Sequence, residues 1–139
     1  MDRLFLVAFM QCSRCGVCCE KTEMLLSEAD MARLKKAGYD PKGFMHVNCD
    51  GFVRLRNRGG YCVFYDCAGR HCRVYGLRPL GCRIYPVIYC EDEGVVVDNL
   101  CPMSWTVSRT QIKAETPKLL RLLRRIDSEA ETRRRNVKL

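Results

Sequence analysis

The chain has 139 residues, 47% of them hydrophobic and 29% charged, the make-up of one globular domain rather than of a disordered segment. Its longest apolar run, Leu4 to Met10, is far short of the roughly 20 residues that a membrane-spanning helix needs. Two numbers are unusual: 11 cysteines and a formal net charge of +8.

In chain order, Leu4–Met10 reads as a buried strand. Arg3 before it faintly imitates a signal peptide, but no small-residue cleavage site follows. A tight knuckle comes next, with Cys12, Cys15, Cys18 and Cys19 spaced C-x2-C-x2-C-C. A short strand is expected around Thr22–Leu26. Ser27 then caps a helix, with Asp30 three residues on, Met31 and Leu34 on one face, and Gly38 as the stop. Phe44–Val47 and Phe52–Arg56 look like strands. The turn from Asn57 to Gly60 predicts a hairpin between Phe52–Arg56 and Tyr61–Tyr65. Residues 66–86 are punctuated by Gly69, Gly76, Pro79, Gly81 and Pro86 and read as loop. Val87–Cys90 and Val95–Asp98 flank Glu91–Gly94 as a second hairpin. From about Thr116 the chain is expected to be helical, with Pro117 in the first turn and an apolar stripe of Leu119, Leu120, Leu122, Leu123, Ile126 and Ala130. The sum is a small α+β domain organised around a metal site, with short strands and hairpins, one internal helix and a C-terminal amphipathic helix. Residues 1–116 are expected to form the cysteine-cluster metal-binding domain, and residues 117–139 a basic helix and tail.

The cysteines need a chemical reason. An odd number leaves one thiol over in any full disulfide pairing, and disulfide-dense folds belong to secreted chains. With weak support for secretion, a cytoplasmic location is expected, and there a dense cysteine pattern points to metal or redox chemistry. The two-residue gaps let a turning backbone aim sulfurs at one centre, as in zinc knuckles and iron–sulfur loops. Adjacent Cys18 and Cys19 point apart in extended backbone, so one of them faces a second centre or the core. Only His46 and His71 add nitrogen donors, and soft thiolates favour zinc, Cu(I) or iron–sulfur clusters over Mg²⁺ or Ca²⁺. The triple run plus one remote cysteine resembles the ligand set of a [4Fe–4S] cluster, and a Cys-Pro pair such as Cys101-Pro102 also recurs in ferredoxins. Zinc would accept the same sulfurs in fours. Small buried hydrophobes are an equal reading for Cys49, Cys67 and Cys90. His71 is either a ligand or an ordinary loop histidine, and His46 is structural.

These residues resemble a known family. The knuckle, then Cys62 to Asp66, Cys72 to Tyr75, and Arg78-Pro79-x2-Cys82 through Pro86 are similar to the YkgJ-type cysteine-cluster family, a zinc- or iron-chelating domain. The resemblance runs over about residues 12–102. It implies that Cys12, Cys15, Cys18, Cys19, Cys62, Cys72 and Cys82 form the chelating set, with Cys101 as a late member. Cys49, Cys67 and Cys90 fall outside the family pattern. A related motif occurs in the much larger flagellin lysine N-methylases, whose activity is not carried over.

Two further features bear on function. Arg73, Arg78 and Arg83 flank motif cysteines, where their charge would favour thiolate, donate to cluster sulfurs or hold an anionic substrate; alternatively they pair with Asp66 or with Glu91, Asp92 and Glu93. Residues 118–139 carry eight Lys or Arg against three Asp or Glu. Arg133, Arg134, Arg135 and Lys138 are a candidate phosphate-binding tail for RNA or a ribonucleoprotein, or else the solvated end of an amphipathic helix. Three functions therefore compete. One is a metalloprotein for electron transfer, metal handling or assembly. Another is a metal-built module whose basic helix binds RNA or a protein complex. The third is an enzyme with an open coordination position, although no nucleotide loop, nucleophile–base pair or paired carboxylates accompany it.

Overall fold

A computed structural model describes residues 23–101 and 103–137. The expected Leu4–Met10 strand and the knuckle from Cys12 to Cys19 lie outside the described residues. The fold is α+β, with short antiparallel hairpins and helices closed by one long C-terminal helix.

The helix predicted from Ser27 is present as α1, Glu28–Lys36. The Ser27 hydroxyl accepts from the Asp30 N–H at 3.1 Å and the Ser27 N–H donates to the Asp30 carboxylate at 3.0 Å, a reciprocal cap that satisfies two otherwise orphaned donors. Gly38 beyond the helix takes φ +105°, the left-handed conformation that glycine adopts without strain. A single turn, α2 (Pro41–Phe44), was not foreseen: Asp40 caps it and Pro41 opens it, both ordinary start signals. Before α1 the expected strand is reduced to one bridge, Leu25 to Arg54.

Strand β1 (Met45–Val47) pairs with β2 (Val53–Leu55) in the register Met45↔Leu55. The turn between them includes Gly51 at φ +85°, where a Cβ would sit 2.6 Å from the Ala130 carbonyl oxygen. Because β2 is paired with β1, the hairpin expected at Asn57–Gly60 has shorter arms than predicted, β3 (Asn57–Arg58) and β4 (Tyr61–Cys62). One more bond, Val63 N–H to the Arg56 carbonyl, extends it. The stretch 66–86 is not loop throughout. It holds the end of the hairpin β5 (Tyr65–Asp66) with β6 (His71–Cys72), a 3-10 turn at Tyr75–Leu77, and the short helix α3 (Leu80–Ile84). Its glycines and prolines punctuate elements too short for periodicity to reveal. The second predicted hairpin is found as β7 (Val87–Cys90) with β8 (Gly94–Val97).

Helix α4 spans Arg109–Val137. It starts about two turns before the expected Thr116, because the Ser108 hydroxyl accepts from the Gln111 N–H at 3.0 Å and supplies the cap. Pro117 therefore sits inside the helix rather than in its first turn. The helix runs unbroken through residue 117, where the sequence reading divides body from tail.

Two apolar clusters hold the fold. The first joins Leu26, Leu34, Phe44, Val53, Leu55, Cys62, Phe64 and Val74. The second joins Ile84 and Val87 to Leu119, Leu122 and Ile126 of α4. Each fully buried Leu, Ile, Val or Phe contributes about 1.5–3 kcal/mol relative to exposure. Leu119, Leu122, Leu123 and Ile126 of the stripe read from the sequence are thus the face that α4 lays on α3 and β7. Among the described residues no helix is long and apolar enough to cross a membrane.

Candidate metal centre

Three of the expected ligands border the same apolar cluster. Cys62 is buried in the first cluster, and Cys72 and Cys82 are half-buried against it. Each arrives on a different element. Cys62 lies opposite Asn57 at the end of β4, and Cys72 lies opposite Tyr65 at the end of β6. The Arg73 N–H donates to the Phe64 carbonyl at 2.8 Å, tying the residue after Cys72 to a core residue two positions past Cys62. Cys82 is carried by α3. Cys101 is half-buried in the turn after β8, where its N–H donates to the Asp98 carbonyl; it is not part of the first cluster. Among the described residues no three Cys, His, Asp or Glu side chains are grouped to hold a metal ion.

The cysteines outside the family pattern are set apart. Cys49 and Cys67 are exposed and Cys90 is half-buried at the β7–β8 turn, so the buried-hydrophobe reading fails for the first two. His46 pairs with Arg54 across β1–β2. His71 faces Asp66 at 4.0 Å. The Asp66 carboxylate accepts from the Gly69 and Ala68 N–H groups, and chiefly the Gly69 bond holds its pKa below the ordinary 3.8, against a smaller opposing effect of burial. This turn is thereby closed on itself: a Cβ on Gly69 would lie 2.6 Å from His71 Nδ1.

The segment that carries Cys82 is anchored by a residue whose full role the sequence hides. Asp30 is 0% exposed. Besides capping α1, its Oδ1 accepts from the Leu80 N–H at 3.1 Å and from Arg33 Nη2 at 2.6 Å. One carboxylate thus joins the start of α1 to the start of α3. Its capping role is legible from the Ser27 spacing, but nothing local announces a partner fifty residues on. Gly81, one of the glycines that punctuate the 66–86 stretch, also leaves room for a neighbour: a Cβ there would crowd Met24 Sδ.

The flanking arginines grip backbone rather than acidic partners. Arg83 donates to the Arg78 carbonyl at 3.1 Å and the Gly76 carbonyl at 2.9 Å. Arg78 donates to the Tyr75 carbonyl and stacks 3.8 Å over the Tyr75 ring. Arg73 donates to the Val63 carbonyl, and its charge helps to keep Asp66 ionised. Glu91, Asp92 and Glu93 form no ion pair among the described residues. These bonds pin the loops between the motif cysteines, so each motif arginine has a structural task whatever its effect on thiolates.

The model of the family CxxCxxCC, described as "Putative zinc- or iron-chelating domain", matches residues 11–102. The chain belongs to the CxxCxxCC family. The match covers the knuckle and all the motif cysteines quoted above, as the resemblance implied. The chain is also 33% identical over 82 residues to the uncharacterized protein MJ0661 of Methanocaldococcus jannaschii, a match covering 54% of this chain and 43% of that one. The chain therefore spans less than half the length of that relative. No solved structure matches it. The donor chemistry fits the family description, since sulfur donors suit both zinc and iron.

Proposed function

We propose that this CxxCxxCC chain holds an iron–sulfur cluster, or zinc on the same sulfurs, and serves electron transfer or metal handling. The ligands in this reading are Cys12, Cys15, Cys18, Cys19, Cys62, Cys72, Cys82 and Cys101. The observation that supports it is that Cys62, Cys72 and Cys82, three motif cysteines from three elements, pack on one apolar cluster. A knuckle with remote ligands closing over it would make metal binding part of folding. The apolar surround would limit solvent access, one of the factors that set cluster potentials. The choice of iron rests on the triple-cysteine run and the shortage of histidine.

The test is elemental analysis with an absorption spectrum of protein purified without oxygen. Iron with acid-labile sulfide and a broad band near ~400 nm, as thiolate-bound clusters give, supports the cluster. Zinc alone transfers the reading to a structural thiolate site. The same analysis of Cys15→Ser and Cys82→Ser is expected to show lowered metal content. Metal content unchanged in both would sink the ligand assignment.

A further inference from the structure

Where α3 lies against α4, a groove of about 440 Å³ opens to solvent, within the size range of small-molecule sites. Its walls are cationic: Arg83 stands on the α3 side, and Lys118, Arg121 and Arg125 on the α4 side. The three α4 residues fall at i, i+3 and i+7, one face of a helix. Leu80, Ile84 and Leu122 give the groove an apolar floor. One carboxylate, Glu115, lies at its edge and is engaged by Lys118 at 3.2 Å.

Charge is handled differently elsewhere on α4. Arg133 pairs with Glu28 and donates to the Gly51 carbonyl. Arg134 and Arg135 both pair with Glu131, and Arg134 also donates to the Asp50 carbonyl. Of the three arginines that stand out in the sequence, Arg133 and Arg134 therefore clamp the helix end to the body, and Arg135 pairs within the helix. Arg121 and Arg125, by contrast, make no ion pair among the described residues, and like charges at i, i+4 repel. Arg83 is held by its two carbonyl bonds, so less side-chain freedom is lost when a ligand binds it.

We propose that this groove is a phosphate-binding site, taking a mono- or diphosphate group with Arg83, Arg121 and Arg125 as its cations. Planar guanidinium groups match phosphate oxygens with paired hydrogen bonds, and the apolar floor accommodates the compact body of a phosphate ester. None of its residues is a proposed metal ligand, although Arg83 follows Cys82 on α3.

The probe is inorganic pyrophosphate, titrated calorimetrically into the full chain at low and moderate salt. Wild type is expected to bind, more weakly as salt rises. Arg121→Gln/Arg125→Gln is expected to bind at least about tenfold more weakly, the minimum loss when hydrogen bonds to charged groups are removed. Arg109→Gln/Arg124→Gln removes the same charge from exposed positions outside the groove and is expected to bind as wild type. Circular dichroism and metal content check that both variants fold. No binding by wild type, or equal weakening in both variants, overturns the site. A short single-stranded RNA separates the sources of phosphate. Competition with pyrophosphate, lost in the groove variant, supports the site with a nucleic-acid backbone as its ligand. A small phosphate ester is the ligand if pyrophosphate binds and RNA does not.

Discussion

At the scale of single residues, Asp30 connects sequence to site. A carboxylate removed from water is stable only with good partners, and this one has the Ser27 and Leu80 N–H groups and Arg33. Asp30→Ala removes the carboxylate half of the capping box, leaving the Ser27 and Leu80 N–H groups without their acceptor and Arg33 without its counter-charge. It is expected to lower stability by about 2–4 kcal/mol, read by thermal or urea denaturation. Asp30→Asn keeps a cap and an acceptor and is expected to fall between. A loss no larger than that of Ser27→Ala would show that the Leu80 contact carries no weight. Half of this residue's work is legible in the sequence, because a cap is a matter of spacing along a few residues. The contact with Leu80 is set by how two helices pack and leaves no local mark. Gly81 has the same lesson: its glycine is conspicuous, but the Met24 side chain that a Cβ would displace is distant in the chain.

Among elements, α4 is the one whose face, though not its start, the sequence reveals. The stripe from Leu119 to Ala130 is apolar at helical spacing; Leu119, Leu122, Ile126 and Ala130 are buried, and Leu120 and Leu123 are half-buried. Its first two turns carry no comparable stripe, and Pro117 imitates a helix start. Inside the helix a proline removes one backbone bond and crowds the preceding turn. Pro117 is exposed, so Pro117→Ala is expected to raise stability by about 1–2 kcal/mol, the helix gain less the added freedom of the unfolded chain. An unchanged or lower melting temperature would mean that the helix is fitted to its proline. On the buried face, Ile126→Ala is expected to cost about 2–5 kcal/mol. At the far end, hydrogen bonds from Arg134 and then Arg135 hold the Glu131 carboxyl below its ordinary 4.5. A lowered folded-state pKa stabilises fully above the unfolded value and is lost as pH falls through the folded one. The last turns of α4 should therefore loosen below pH 4.5, seen as a decline in helical NMR shifts at 132–135. Glu131→Gln should abolish that dependence; a midpoint at or above 4.5 in wild type would contradict the ion-pair account.

For the molecule as a whole, the two apolar clusters meet at α3. Cys82 packs against the first, while Leu80 and Ile84 belong with the second. The last turn of α4 returns to the first half through Arg133 on Glu28 and Arg134 on the Asp50 carbonyl. The metal chemistry was readable from the sequence because cysteine spacing is local; this α3 hub was not, because it exists only once distant segments pack. It makes a prediction about cooperativity. If thiolates from the first cluster close over a metal, removing the metal unfolds that cluster directly and the second through α3. Trp105 is 79% exposed, so its fluorescence is a poor witness. The Tyr39–Phe64 edge contact at 5.2 Å and the Tyr61–Tyr65 stack at 5.0 Å report the first cluster in near-ultraviolet circular dichroism, and far-ultraviolet dichroism reports α4. A strong chelator is expected to abolish both signals in one transition. Loss of the near-ultraviolet signal with α4 intact would show that α3 does not couple the halves. Retention of both, with metal removal verified by elemental analysis, would show that the fold stands without the metal.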